Sequence, residues 1–162
     1  MSNSNQPIPP GHEGLIPHLV CTPCTEALEF YKKALGADEL HRIPSPDGKR
    51  LMHAAMRVGN SMLFLVDDFP EYCGGKSGTA TALQGTPVTI HRYVPDCDAA
   101  IKRAEDAGAK VMMPPMDMFW GDRYGVVVDP YGHKWSFATH QRDLTPAEME
   151  AGMKEAFSHA PK

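Results

Sequence analysis

Histidine is the side chain that exchanges protons near neutral pH, and this 162-residue chain carries eight of them. His18, His53, His91 and His140 are the candidates for acid–base chemistry or for lining a ligand site. The competing reading of each is a cleft-lining or core residue whose ring nitrogens find hydrogen-bond partners. His12, His41, His133 and His159 read as surface residues. Cys21-Thr22-Pro23-Cys24 is a C-x-x-C where a strand gives way to a helix. Redox chemistry there needs a thiolate stabilised by the helix N-terminus. The alternative is two small half-buried residues at a junction, and no other feature of a thiol–disulfide enzyme accompanies the pair. Between Met112 and Arg123, the side chains of Met112, Met113, Met116, Met118, Phe119 and Trp120 form an adaptable, polarisable apolar surface. Arg123 could clamp a carboxylate or phosphate there, or this loop packs on the sheet edge with Arg123 paired to Asp122 or Asp117.

Other chemistries lack their motifs. The chain has no phosphate-cradling glycine loop, no G-x-S-x-G elbow and no H-E-x-x-H. A net charge of −4 leaves no basic stripe for nucleic acid or an anionic membrane. No apolar run approaches the ~20 residues that span a bilayer. Four cysteines are too few and too irregular for a disulfide framework. Met1 to Gly14 is polar and proline-rich without the features of a secretory signal, which predicts a loose leader and a cytoplasmic protein.

The elements that must position these residues follow from periodicity. Leu15–Cys21 is a short apolar strand. Thr22 caps a helix with Pro23 at its first position, carrying Ala27, Leu28, Tyr31, Ala34 and Leu35 until Gly36 ends it. Strands follow at Asp38–Ile43, Leu51–Val58 and Ser61–Val66, then a linker or mobile loop to Gly85. The order then restarts. Val88–Val94 is a strand, Asp96 caps a helix ended by Gly108, and Lys110–Met113, Tyr124–Val128 and Lys134–Thr139 are strands, with a loop over Pro114–Asp122. His18 falls over His91 and Gly59 over Gly132 at an offset of 73 residues, an internal repeat. The fold class is therefore α+β: two tandem βαβββ modules (15–67 and 86–140, linker 68–85) whose curved mixed sheet surrounds one cleft. Thr145-Pro146-Ala147-Glu148 is a capping box opening a C-terminal helix within the tail 141–162. Its Met149, Met153 and Phe157 share one face, packed on its own domain or on a second subunit.

Glu29-Phe30-Tyr31 with Ala34-Leu35-Gly36, and Asp129-Pro130-Tyr131-Gly132-His133-Lys134-Trp135, resemble the opening and closing motifs of the vicinal-oxygen-chelate superfamily. That superfamily includes glyoxalase I, extradiol dioxygenases and bleomycin-binding proteins. Phe119-Trp120-Gly121-Asp122-Arg123 and Ala138-Thr139-His140 resemble its PhnB-like branch. The resemblance implies a homodimer and, in metal-dependent members, one divalent ion held by His or Glu from four strands. Carried over position by position, those ligands fall on Ile16, on Leu63 or Phe64, on Thr89 and on Ser136. Apolar side chains cannot ligate, and hydroxyls are poor ligands for first-row ions. His18, His91 and His140 stand at even spacings from the vacated positions and so share their strand faces. The expected function is binding of a small organic molecule without the usual metal, and no cofactor. The expected ligand set is His18, His53, Phe64, Thr89, His91, Met118, Phe119, Trp120, Arg123, Ser136 and His140. Two alternatives are a lyase, isomerase or dioxygenase using a nonstandard His-based site, and a dimeric interaction protein without catalysis.

Overall fold

The structure, a computed structural model, describes residues 7–158, so part of the expected leader and His159 lie outside it. The first half runs β1 (His18–Val20), α1 (Cys24–Leu35), β2 (Asp38–Pro44), β3 (Leu51–Val58) and β4 (Ser61–Val66). The second runs β5 (Thr89–Tyr93), α2 (Cys97–Asp106), β6 (Lys110–Asp117), β7 (Asp122–Val128) and β8 (Lys134–His140), followed by α3 (Pro146–Ser158). They build two four-stranded mixed sheets, β1-β4-β3-β2 and β5-β8-β7-β6, each with one parallel pair, β1 with β4 and β5 with β8. The α+β class and the doubled βαβββ order are as the repeat predicts. The chain divides into two compact units, residues 7–86 with 131–133, and residues 87–130 with 134–158.

In the first unit, Ala27, Leu28, Tyr31 and Leu35 recur at helical spacing and are buried, and α1 packs on β2 and β3. Gly36 closes the helix in the left-handed region at φ 64°, its N–H bonding to the Lys32 carbonyl. The other end corrects the sequence reading. Pro23, not Thr22, occupies the cap position and offers no side-chain acceptor. Asp67, just beyond β4, supplies it instead. One carboxylate oxygen accepts the Cys24 N–H at 3.0 Å and the other the Leu51 N–H at 2.7 Å. Thr22 Oγ1 accepts the Asp68 N–H at 2.8 Å. The stretch expected as a linker or mobile loop folds into this unit. Asp68 accepts the Gly78 N–H, the Arg50 guanidinium lies 4.0 Å over the Phe69 ring, and Ala80 is buried. Within the same unit, His133 is half-buried and hydrogen-bonds the Val20 carbonyl, so it is not the plain surface residue expected.

In the second unit Asp96 caps α2 as predicted, accepting the Ala99 N–H at 2.9 Å. Gly125 of β7 lets α2 approach: a Cβ there would meet the Ile101 side chain at 3.0 Å. Strand β6 runs on to Asp117, beyond the expected end at Met113. It is an edge strand, where proline costs no ladder bond. Register shifts carry it past Met112 and past Pro114-Pro115. The capping box at Thr145 and Glu148 forms as expected. Yet no residue of α3 is buried, and Met149, Met153 and Phe157 are 41%, 44% and 66% exposed. The expectation that this stripe packs on its own domain is corrected. The helix meets the unit mainly at Phe119, which lies beside Gly152 and 6.3 Å from the Phe157 ring.

Asp67→Ala would strand two buried N–H groups. A loss of about 3 kcal/mol in unfolding free energy is expected by urea denaturation, with no change in oligomeric state.

Candidate functional site

One face of the first sheet gathers imidazoles around a phenylalanine. Register places His18 opposite Phe64, Phe64 opposite Ala55, and Ala55 opposite His41, so all four share a face with His53, two residues from Ala55. Phe64 is therefore the half-buried alternative that lines this face. Leu63, 2% exposed, turns to the helix-side core. The His53 ring stands 4.7 Å from Phe64, 5.3 Å from His41 and 5.9 Å from His18. His12 lies 5.9 Å from Phe64. His41 is the surface residue expected and His12 is half-buried, and both rings join this cluster; the bulge at Glu39/His41 hid the place of His41 from the alternation on β2. Burial lowers the His53 pKa, and the neighbouring His41 and His18 lower it further.

The corresponding face of the second sheet is more ordered. Thr89, His91 and Tyr93 project together from β5. His91 Nδ1 lies 2.8 Å from the hydroxyl of Ser136, itself 1% exposed. The His91 ring meets Tyr93 edge-on at 4.9 Å and stacks on Tyr124 at 6.0 Å. Trp120 and then Phe119 extend the aromatic row. Asp122, 5% exposed, accepts the Tyr93 hydroxyl at 2.8 Å and faces His140 Nδ1 at 2.9 Å. His140 Nε2 lies 3.0 Å from Asp143. Burial alone would raise the Asp122 pKa, but the bonds from His140 and Tyr93 outweigh it and the net shift is downward. The same bonds, Asp122 first and Asp143 second, raise His140.

Not every expected residue reaches this face. Arg123 points to the opposite side, where its guanidinium holds Asp98 of α2 and Asp117. Asp117 was an expected partner; Asp98 replaces Asp122. Met118 is half-buried and closes the β6–β7 turn through its N–H to the Asp122 carbonyl. Tyr93, Tyr124 and Asp122 were missed as site residues, although even spacing from His91 on β5 marks the first.

Of the two readings of the C-x-x-C, the structure favours the junction pair, with both thiols buried more deeply than expected. Cys21 and Cys24 are fully buried, and burial, then Asp67, pushes the Cys24 thiol up to about 12. A thiolate cannot persist there. Cys97 is likewise pushed up to about 11 by burial and Asp98, while Cys73 is exposed.

The sequence profile of the Glyoxalase/Bleomycin resistance protein/Dioxygenase superfamily matches residues 16–137. The chain belongs to this superfamily. An uncharacterized Mycobacterium tuberculosis protein is 52% identical over 139 residues, covering 86% of this chain and 81% of that one. An Arabidopsis thaliana protein is 29% identical over 134 residues, covering 77% and 76%. Among solved structures, TioX from Micromonospora sp. ML1 superposes with a TM-score of 0.60 at 26% identity, covering 79% of this chain and 98% of that one. The fosfomycin resistance protein FosX from Mesorhizobium loti shares the fold, with a TM-score of 0.55 at 15% identity over 84% and 96% of the two chains.

The divalent ion typical of the superfamily does not fit the donors at the four positions carried over from the resemblance. Ile16 and Phe64 offer no ligating atom, Thr89 offers only a hydroxyl, and the Ser136 hydroxyl is engaged by His91. Among the described residues, no three His, Cys, Asp or Glu side chains stand where they could hold one ion.

Two measurements check these environments. In histidine-resolved NMR titrations His53 should titrate below the ordinary histidine value and His140 above it. His53 then contributes stability that is complete above about pH 6.5 and lost as pH falls; His53→Gln should flatten the acid limb of stability. With a disulfide thiol reagent, Cys73 alone should react in the folded protein, and all four cysteines after unfolding.

Proposed function

We propose that this protein binds a small organic molecule against the His91–Tyr124 face of the second sheet, without the divalent metal usual in its superfamily. The observation that carries the reading is the row Phe119–Trp120–Tyr124–His91–Tyr93, with Ser136 holding the His91 ring. Aromatic faces offer stacking area to a planar ligand, and a few placed polar groups orient it. Here those groups are His91 Nε2 and the Thr89 hydroxyl. The His18, His53 and Phe64 face of the first unit has a similar aromatic and imidazole make-up and is a separate candidate surface. Arg123 does not, because its guanidinium is spent on Asp98 and Asp117.

A second reading is catalytic. With Nδ1 held by the Ser136 hydroxyl, His91 presents Nε2 as a positioned acid–base group, which supports a lyase, isomerase or dioxygenase using a His-based site. Elemental analysis of untagged protein separates its branches: a stoichiometric transition metal would revive metal chemistry. The exposed Met149, Met153 and Phe157 stripe supports a homodimer, which light scattering checks.

A thermal-shift screen of aromatic, polyketide-like and glycopeptide compounds should find a stabiliser that also quenches Trp120. Trp135 is buried and bonded to Asp129, so it serves as the silent reference. Tyr124→Ala or His91→Ala should weaken that ligand about tenfold, roughly 1.4 kcal/mol. Binding unchanged in both variants would place the ligand elsewhere.

A further inference from the structure

We propose that His140 is a protonation-dependent clasp that fastens α3 to the second unit and releases it as pH rises. Both ring nitrogens of His140 face carboxylate oxygens, Asp122 Oδ1 at 2.9 Å and Asp143 Oδ1 at 3.0 Å. A neutral imidazole has one N–H and one lone pair, so only the imidazolium donates to both. Loss of the proton sets a lone pair against a carboxylate at one end.

The two carboxylates sit on opposite sides of the joint. Asp122 is buried in β7 and anchored by the Tyr93 hydroxyl from β5. Asp143 is wholly exposed and lies two residues before the Thr145 cap of α3. The groups acting on the His140 ring are these two carboxylates, with Tyr93 behind Asp122. The strap between them lies on the β6–β7 turn: the Gln141 and Arg142 N–H groups both donate to the Gly121 carbonyl, at 3.1 and 3.2 Å. Gly121, at φ +96°, admits this approach because a Cβ would meet the Arg142 carbonyl oxygen at 2.4 Å.

Beyond the strap, α3 meets its own unit chiefly at Phe119, beside Gly152 and near Phe157. None of its residues is buried, and a groove of about 570 Å³ runs between it and Phe119, Arg142 and Leu144. A helix of 13 residues is marginal in isolation, so undocking α3 also frays it. The charge on His140 therefore controls a segment whose remaining attachment is weak. This inference does not depend on what the sheet face binds.

Amide exchange resolved by segment tests it, with rates corrected for the intrinsic pH dependence of exchange. Between pH 6 and pH 9 the protection of residues 147–158 should fall about fivefold in the native protein, while β3 and β4 stay protected. His140→Gln should show the low protection at both pH values. Asp143→Asn changes a fully exposed residue and should move the midpoint of the transition to lower pH. Should His140→Gln fail to fold, the Asp143→Asn shift decides the matter. Protection of α3 that does not change with pH, an unmoved midpoint in Asp143→Asn, or native protection in His140→Gln would each overturn the clasp.

Discussion

A carboxylate withdrawn from water must find donors, and the donors it finds become fixed in turn. Asp122 is the case on which the second unit's face depends. It lies at the start of β7, takes the Tyr93 hydroxyl from β5, and faces His140 at the end of β8. Three strands are thereby locked at one end of the sheet. Tyr93, so held, supports the His91 ring, and His91 in turn stacks on Tyr124. Asp67 does the equivalent for the first unit with backbone donors alone, tying the start of α1 to the start of β3. The difference matters for function. A carboxylate bonded to backbone fixes the frame, whereas one bonded to side chains fixes the orientation of groups that a ligand can meet.

The fold was legible because its signals are local. Flanking turn residues bounded β3 and β4 to the residue, Gly36 and Asp96 marked helix ends, and the repeat announced two modules. The failures are non-local or depend on position in a sheet. Asp67 caps a helix that begins 43 residues earlier in the chain, so no window around Thr22 contains it. Pro114-Pro115 read as a loop because proline breaks a central strand, and only the edge position of β6 makes it harmless. Of the site, the strand histidines were readable from even spacing. The engagement of Arg123 by Asp98 was not, since it requires knowing that α2 crosses β7 at Gly125.

The residues at the positions carried over from the resemblance form chemically coherent pairs. A glutamate left in place of Ser136 without an ion would put a buried negative charge beside His91, at a cost of several kcal/mol unless compensated. A hydroxyl is neutral and can donate to or accept from the imidazole, so the Ser136–His91 pair is satisfied with no ion at all. Phe64 in the other module takes the same course by apolar means, filling its place with a ring against which His18 and His53 pack.

The two modules also show how one repeat yields two environments. His18 and His91 are equivalent by the repeat, yet His18 pairs across its parallel strand with Phe64, 46 residues on, and His91 with Ser136, 45 residues on. Each partner stands directly opposite its histidine on the same face, so its residue type decides what the ring meets. In the first module the partner is an aromatic ring, and burial, then the neighbouring His41 and His18, lower the His53 pKa. In the second the partner is a hydroxyl that fixes the ring. The two modules present one face twice, and the residue opposite each histidine, Phe64 or Ser136, decides whether its ring is crowded or held.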